Sequence, residues 1–306
     1  MDIYQKREMR KNKKMDENTK SLPSTSINWY PGHMAKTKRE ITEILGLIDV
    51  VFEVIDGRIP YSSKNKDIDS MIKNKPRILI MTKIDLCDMD KTLEWKTYYE
   101  NMGYKVILLD LINNTKLNIL YEEANKYLNE LNVKRKEKGL KERKLRVLIL
   151  GIPNVGKSTL INRLVGRKAT NVGNKPGITK SLEWIRINDK MELLDTPGIL
   201  WPRIDNNIIA HNLASMTAIK EEILDLSDIS IYIINTMMKM YPKAIKDRYS
   251  LGDETDIIDI LDKIGKKVGA IRNNEVDYEK VYAIILKDLR EGRLGNVTFD
   301  EVSLCK

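Results

Sequence analysis

Short apolar runs, rich in β-branched residues, alternate with helical patterns along the first two thirds of this 306-residue chain. Both faces of each run are apolar, which is typical of buried parallel strands. The predicted strands cover residues 48–55, 77–81, 105–109 and 145–150, and a hairpin of 182–187 and 190–194 follows them. Amphipathic spacing predicts crossover helices over 36–47, 65–73 and 117–131. The pattern therefore predicts an α/β fold with a doubly wound, mostly parallel sheet.

The rest of the chain has other patterns. From about residue 205 the strand signals fade, and helices are predicted over 208–216, 221–240, 256–268 and 278–291. Residues 1–26 are rich in Lys, Asn and Glu and have almost no apolar period, which predicts a disordered basic tail. We therefore expect a tail over 1–26, an α/β domain over 27–204 and a smaller all-α C-terminal domain over 205–306.

Composition narrows the class of protein. No apolar run reaches the roughly 18 residues that a membrane helix needs, and the N-terminus lacks the apolar segment of a secretory signal. A cytoplasmic protein without a membrane partner is expected. Cys87 and Cys305 lie far apart in the sequence, without metal-like spacing, and are expected to be reduced thiols.

Positive charge is concentrated in one segment. The whole chain has a net charge of +9, whereas residues 131–180 hold fourteen Lys or Arg against Glu137 and Glu142, a net charge of +12. Positive charge concentrated in this way indicates a polyanionic partner. A solvated basic linker over residues 134–144 is the alternative.

A phosphate-binding loop, Gly151-Ile152-Pro153-Asn154-Val155-Gly156-Lys157-Ser158, follows one predicted strand and opens a helix. Lys157 is expected to reach the β- and γ-phosphate oxygens, and the Ser158 hydroxyl to bind Mg²⁺. A glycine-rich turn without a ligand is the alternative. The residues expected to contact the nucleotide here are Asn154, Val155, Gly156, Lys157, Ser158 and Thr159.

Two later segments fit the same chemistry. Asp195-Thr196-Pro197-Gly198 follows the second strand of the hairpin, where Asp195 can hold Mg²⁺ through water and the Gly198 amide can bind the γ-phosphate. Between the loop and this segment, the hydroxyl of Thr179 is expected to complete the Mg²⁺ shell when a γ-phosphate is present. A surface threonine without a ligand is the alternative for Thr179.

The segment Thr82-Lys83-Ile84-Asp85 follows another buried strand. Asp85 can accept hydrogen bonds from the N1 and N2 groups of guanine, while the stem of Lys83 covers the base, so GTP and GDP are favoured over adenine nucleotides. An aspartate that caps the next helix is the alternative. Thr82 stands where such motifs usually have asparagine, so a looser link to the phosphate loop is expected.

The order of these motifs is inverted, because the guanine-reading motif precedes the phosphate loop although it comes last in ordinary GTPases. Together with the stretch from Trp29 to Lys36, the motifs make the chain closely resemble the ribosome biogenesis GTPase A family, the YlqF/RbgA branch of circularly permuted GTPases. The resemblance runs from about Ile27 to Glu301 and includes residues 56–62 and 289–295. It implies a P-loop GTPase that acts in late assembly of the large (50S) ribosomal subunit, with the helical domain docked on ribosomal RNA of the precursor. We expect a monomer that does not bind DNA.

The resemblance also assigns individual residues. Guanine contacts fall on Thr82, Lys83, Ile84 and Asp85, and a second base-side loop falls on Asp110 and Leu111. Leu111 departs from the small residue that the family has there, so its side chain must turn away while its backbone amide is offered to the base.

Catalysis needs a group that positions the attacking water, and Ile199 occupies the place where many GTPases have glutamine. The resemblance implies that Asn154 coordinates a K⁺ ion. It also implies that His33 reaches the γ-phosphate when the ribosomal subunit is bound. A turn-stabilising amide is the alternative for Asn154, and a helix-entry residue packed by Trp29 is the alternative for His33. His211, within an apolar helical pattern, is expected to be structural.

Three functions remain open when the motifs and the resemblance are taken together. The first is a ribosome-stimulated, K⁺-dependent GTPase, with His33, Asn154, Lys157 and Thr179 as its catalytic residues. The second is a nucleotide-gated RNA-binding module with incidental hydrolysis, which Ile199 leaves open. The third is an ATP-using phosphotransferase, against which Asp85 argues. In the first case, the segment after Gly198 leads from the γ-phosphate directly into the helical domain, so GTP is expected to favour the ribosome-bound state.

Overall fold

The computed structural model describes residues 32–72, 75–113, 117–166, 182–198, 204, 206–216, 218–219 and 225–305, and it describes only the backbone at 32–35, 66–67 and 304–305. These residues fall into two compact units. An α/β unit contains the described residues up to 198, together with 218–219 and 298–305. A helical unit contains 204, 206–216 and 225–297.

The α/β unit is built on a six-stranded sheet in the order β3-β2-β1-β4-β6-β5, in which all strands are parallel except β5. The strands are β1 Val50–Asp56, β2 Arg77–Thr82, β3 Lys105–Leu108, β4 Leu145–Leu150, β5 Glu183–Arg186 and β6 Met191–Asp195. The helices are α1 Gly32–Ile44, α2 Lys66–Met71, α3 Met89–Asn101, α4 Leu117–Glu137 and α5 Lys157–Val165, with short 3₁₀ turns at Leu45–Leu47 and Ile84–Leu86. The predicted doubly wound, mostly parallel sheet is confirmed.

The central strand explains why this order is stable. Every residue of β1 is buried, because β2 and β4 flank it and helices cover both faces. One apolar cluster contains Ile41, Val51 and Leu148. Another contains Trp95 and Tyr99 of α3.

Two helices differ from the sequence expectation. Helix α3 was not predicted, because its surface is polar and only Thr92, Trp95 and Tyr99 are buried. The available signals were this helical spacing and Asp88, whose side chain accepts hydrogen bonds from two amides of the first turn. Helix α4 runs on to Glu137, six residues beyond its predicted end, since its last turns hold charged residues with good helix propensity.

The helical unit contains α6 Asn207–Ser215, α7 Leu226–Met240, α8 Pro242–Tyr249, α9 Ile257–Val268 and α10 Tyr278–Arg290. A small hairpin, β7 Ile271–Arg272 and β8 Glu275–Val276, joins α9 to α10 and was not predicted. Helix α8 was not predicted separately, although Pro242 at its first position is a start signal. The core of this unit is aliphatic, with Ile233 and Ile285 fully buried.

Residues 298–305 do not follow the predicted boundary. The sequence assigned 205–306 to one helical domain, whereas residues 298–305 are packed with the α/β unit. A 3₁₀ turn, Val302–Cys305, lies at their end. Val302 packs against the Trp95 cluster, a contact between residues about two hundred positions apart that no local pattern reveals. The predicted tail, 1–26, lies outside the described residues.

None of the helices within the described part of the chain is long and apolar enough to cross a bilayer.

Candidate nucleotide-binding site

The predicted motifs meet at one edge of the sheet. Strands β4, β2 and β3 are parallel to one another and to β6, so their carboxyl ends share an edge. The phosphate loop follows β4, the segment beginning at Asp195 ends β6, and the guanine-reading segment follows β2. In open α/β sheets this edge is where ligands bind. The loop after β1 lies between the phosphate loop and the guanine-reading segment in the strand order.

The phosphate loop needs its glycines for close packing. A Cβ atom on Gly151 would lie 2.4 Å from the carbonyl oxygen of Val54, which is far inside contact distance. Gly156, which precedes α5, has a φ of +100° that favours glycine. Asn154 also has a left-handed conformation, with φ +60°, which asparagine tolerates better than most residues. The turn-stabilising alternative for Asn154 therefore has a geometric basis.

Lys157 folds back onto the phosphate loop. Its Nζ atom donates hydrogen bonds to the carbonyl oxygens of Gly151 (3.1 Å) and Ile152 (3.0 Å), and the side chain is buried. Burial lowers the pKa of Lys157 to about 8, although the negative charge of Asp195 opposes this effect. A phosphate group placed in the loop would give the buried ammonium a negatively charged partner.

The segment after β6 packs directly on the phosphate loop. Thr196 donates a hydrogen bond to the carbonyl oxygen of Ile149 (2.7 Å), which ties the segment to β4. A Cβ atom on Gly198 would lie 2.5 Å from the backbone nitrogen of Pro153, so only glycine allows this approach. Gly198 therefore lies directly against the phosphate loop.

The donors near this point suit magnesium. Asp195 is buried at the end of β6, and Ser158 lies in the first turn of α5. Hydroxyl and carboxylate oxygens are the ligands that Mg²⁺ prefers, and it commonly takes the remainder from water and phosphate. The described residues contain no group of three or more His, Cys, Asp or Glu side chains that could hold a metal by themselves.

The guanine-reading segment is linked to the phosphate loop through Thr82. Its hydroxyl donates to the carbonyl oxygen of Val155 at 2.5 Å and lies 3.1 Å from that of Ile55. The looser link expected from the missing asparagine is therefore not observed, because the shorter side chain is buried and reaches the loop directly.

The alternative role of Asp85 as a helix cap is not supported. Helix α3 is capped by Asp88, which accepts hydrogen bonds from the amides of Asp90 and Lys91. Asp85 lies in the preceding 3₁₀ turn. Partial burial raises the pKa of Asp85, and the charge of Asp110 adds to the effect. A carboxylate in such a place gains from a ligand that donates hydrogen bonds.

The second base-side loop is ordered by Asp110. Its carboxylate accepts hydrogen bonds from the amides of Ile112 and Asn113 and from the Asn113 side chain. Desolvation raises the pKa of Asp110, but these hydrogen bonds more than offset it and hold the pKa below its usual value. Arg163 of α5 donates to the carbonyl oxygens of Leu111 and Ile112. The Leu111 side chain is buried and its Cδ1 lies 3.3 Å from where a Cβ atom on Gly156 would stand, so it points toward the phosphate loop.

A charged group behind the guanine-reading segment joins Lys83 to Asp56 and Arg58, two residues to which the sequence alone gave no individual role. Asp56, at the end of β1, accepts hydrogen bonds from Nε and Nη2 of Arg58 (3.0 and 2.8 Å) and from Nζ of Lys83 (2.8 Å). Desolvation opposes ionisation, but Arg58 and Lys83 hold the pKa of Asp56 far below its usual range. An acid followed two residues later by arginine at a strand end was the available signal.

The proposed catalytic residues are described unevenly. His33 lies in the first turn of α1, and only the backbone of residues 32–35 is described. Thr179 and Ile199 lie outside the described residues. His211 belongs to the helical unit, where Nε2 lies 2.9 Å from Oδ2 of Asp228 and the ring is tilted against that of Tyr232.

The chain is similar to known GTPases. Residues 146–273 match the family described as 50S ribosome-binding GTPase, and residues 69–204 match the one described as RsgA GTPase. The chain is 41% identical over 277 residues to ribosome biogenesis GTPase A of Bacillus licheniformis, which covers 90% of this chain and 98% of the relative. It is 40% identical over 281 residues to the protein of the same name from Priestia megaterium, with 91% and 98% covered. The chain belongs to the ribosome biogenesis GTPase A family.

Solved structures agree with this membership. GNP-bound YlqF from T. maritima has a TM-score of 0.61 and 25% identity, covering 87% of this chain and 98% of that one. GDP-bound YlqF, at 24% identity and a TM-score of 0.63, shows the same fold over 87% of this chain and 100% of that one. The fold is thus a circularly permuted P-loop GTPase with a helical C-terminal part. Like other members of the ribosome biogenesis GTPase A family, the chain binds GTP and GDP and hydrolyses GTP, with Mg²⁺ as the cation that such enzymes generally use.

Proposed function

We propose that the chain hydrolyses GTP during late assembly of the large (50S) ribosomal subunit, while bound to the precursor particle and its ribosomal RNA. The matching family is described as 50S ribosome-binding, and the relatives are named for ribosome biogenesis. The observation that carries the proposal furthest is a surface of lysines on the α/β unit that form no ion pair with any described residue.

This surface, the amino-edge lysine cluster, lies at the end of α4 and in the loop that enters β4. Its members are Lys134, Lys136, Lys138, Lys141 and Lys144. Helix α4 begins after the carboxyl end of β3 and ends before the amino end of β4. Its 21 residues span roughly 30 Å at 1.5 Å per residue. The cluster therefore lies at the edge of the sheet opposite the phosphate loop, too far away to serve the nucleotide.

The amino-edge lysine cluster keeps a net positive charge, because Glu137 and Glu142 are the only acids between residues 134 and 144. None of its five lysines forms an ion pair with any residue that the structure describes. By contrast, Lys96 pairs with Glu100 and Lys126 pairs with Glu123 elsewhere on the same unit. Unpaired positive charge on one face is the electrostatic feature expected of a surface that binds phosphate backbones. The solvated-linker alternative predicts no such partner.

Salt-dependent binding tests this surface. The double substitution Lys136→Gln with Lys138→Gln is expected to weaken binding to large-subunit precursors and to lower the slope of log Kd against log salt by about 0.7–0.9 per lost phosphate contact. Lys96→Gln with Lys126→Gln removes the same charge from paired positions and serves as the control. If both double variants bound precursors like the wild type, with the same slope, the cluster would not be an RNA contact.

The guanine contacts are proposed for Thr82, Lys83, Ile84 and Asp85, with Asp110 and Leu111 on the second base-side loop. The partly buried Asp85 carboxylate, whose pKa is raised by desolvation, and the ordered Asp110 loop support this assignment. Asp85→Asn is expected to shift preference from guanosine to xanthosine nucleotides, because the amide donates where the carboxylate accepts. Unchanged GTP use by this variant would refute the assignment.

Catalysis is proposed to use Asn154, Lys157, Ser158, Thr179 and Asp195. His33 is proposed to join them when the chain is bound to the ribosomal subunit. Asn154 would hold K⁺ and Ser158, Thr179 and Asp195 would hold Mg²⁺, and these cations would stabilise the charge that develops on the transferred phosphoryl group. Turnover is expected to be higher in K⁺ than in Na⁺ and to rise with purified large subunits. His33→Ala should spare nucleotide binding and lower only the stimulated turnover. An absence of stimulation would favour the RNA-binding module with incidental hydrolysis.

A further inference from the structure

The end of the chain is bound to the loop behind the guanine-reading segment. Asp300 is buried, and its carboxylate accepts hydrogen bonds from the amides of Tyr61 and Ser62 (both 2.8 Å) and from the Ser62 hydroxyl (2.7 Å). These partners are 238 and 239 positions away in the sequence. A carboxylate that receives several charge-assisted hydrogen bonds in a buried place is held more strongly than a neutral group would be.

Neighbouring residues strengthen the same attachment. The amide of Phe299 donates to the carbonyl oxygen of Arg58 (2.8 Å). The indole nitrogen of Trp95 donates to the carbonyl oxygen of Asp300 (3.1 Å), and Glu301 lies 3.8 Å from Lys91. The segment 298–302 is therefore held on both sides, by the loop after β1 and by α3.

The loop after β1 is also in contact with the guanine-reading segment. The Gly57 amide donates to the carbonyl oxygen of Thr82 (3.0 Å), and a Cβ atom on Gly57 would lie 2.8 Å from Sγ of Cys87. The Asp56 carboxylate joins Arg58 to Lys83 through hydrogen bonds of 2.8–3.0 Å. Lys83 itself adopts a left-handed conformation with φ +58°, which its surroundings must maintain.

We infer that Asp300 is a positioning residue for guanine recognition, which holds the loop 57–62 so that Arg58 and Asp56 orient Lys83 and the segment that follows it. The end of the chain and the guanine site are thereby coupled. Because such coupling is reciprocal, a bound guanine base also tightens the attachment of residues 298–302. The inference rests on the proposed guanine contact of Asp85.

Base discrimination separates positioning from simple loss of structure. The readout is the ratio of the Kd values for inosine 5′-diphosphate, which lacks the 2-amino group, and GDP. Asp300→Ala and the milder Asp300→Asn are expected to weaken GDP binding about fivefold or more, the lower end of coupling between sites. They should weaken inosine diphosphate binding less, so that the ratio falls. A variant that is merely less folded would bind both nucleotides less by one factor.

Asp49→Asn is the matched control. Asp49 also accepts three hydrogen bonds in the α/β unit, two from Arg143 and one from the Arg146 amide, but it lies beside the amino ends of β1 and β4. Its substitution should leave the ratio unchanged. If Asp300→Ala also left the ratio unchanged, the inference would be overturned.

Hydrogen exchange in the unaltered protein decides the question if the variants do not fold. GDP is expected to slow exchange of the Tyr61 and Ser62 amides, and inosine diphosphate is expected to slow it less. Equal exchange with and without GDP would overturn the coupling. Equal binding of the two nucleotides by the unaltered protein would refute the guanine contact of Asp85. The effect of GDP on hydrogen exchange of these two amides would still test the coupling separately.

Discussion

Lys157 is expected to lower the folding stability of the protein when no nucleotide is bound. Its ammonium is buried against two carbonyl oxygens, and its pKa falls from 10.5 to about 8. At 1.36 kcal/mol per tenfold change in proton affinity, this fall corresponds to about 3 kcal/mol of unfavourable free energy for the charged form at pH 7. Bound phosphate groups are expected to remove this penalty, because their negative charge stabilises the buried ammonium.

The sign of the pH dependence follows from the lowered pKa. Below pH 8 both the folded and the unfolded states hold the proton, so the penalty is fully present. Between about pH 8 and 10.5 the unfolded chain binds more protons, and stability therefore rises with pH. Integration between pH 7 and pH 9 gives a gain of about 1.4 kcal/mol.

Lys157→Met removes this titration and keeps a similar volume. Urea unfolding of both nucleotide-free proteins, followed by tryptophan fluorescence, should show the wild type gaining about 1.4 kcal/mol on the variant from pH 7 to pH 9. All other lysines cancel in this difference. Added GDP should stabilise the wild type and not the variant. A difference that stays constant with pH would refute the reasoning.

Three further predictions test other contacts. Thr82→Val should weaken GDP binding and cost about 1–3 kcal/mol of unfolding free energy, because the Val155 carbonyl loses its donor, whereas Thr82→Ser should restore both. The hydrogen bond to Asp228 raises the pKa of His211. The pair therefore contributes fully to folding stability below about pH 6.5, and this contribution is lost as the pH rises through the pKa of His211 in the folded state. His211→Gln should flatten that part of the stability profile, and an unchanged profile would count against the pair. Ile233→Ala should lower the unfolding free energy by about 2–5 kcal/mol, which denaturant titration measures, since Ile233 is fully buried.

Much of the α/β sheet was predictable because its information is local. Strand β4 was predicted with its observed ends, since a run that is apolar on both faces and bounded by charged residues and glycine has few other structures. Helix α3 was missed because its buried side is narrow and its surface is polar. The small hairpin of β7 and β8 was missed because two-residue strands have no period to detect.

The residues of the phosphate loop and the guanine-reading segment were identified from their types and spacing, but their mutual contacts were not. The hydroxyl of Thr82 reaches Val155 across 73 positions, so the effect of replacing asparagine depended on the distance between two loops. The charged group of Asp56, Arg58 and Lys83 likewise requires that β1 and β2 be neighbours. Sequence spacing carries no such distance.

The sequence by itself determined the order of the motifs, and hence the circular permutation, because motif order is a property of the chain and not of its folding. It also determined which groups can bind phosphate, Mg²⁺ and guanine, since these depend on side-chain chemistry. Only the tertiary structure decided that the amino-edge lysine cluster lies away from the nucleotide and that Asp300 returns to the loop behind the guanine site. Both depend on contacts between distant parts of the chain, which form only when the sheet is assembled.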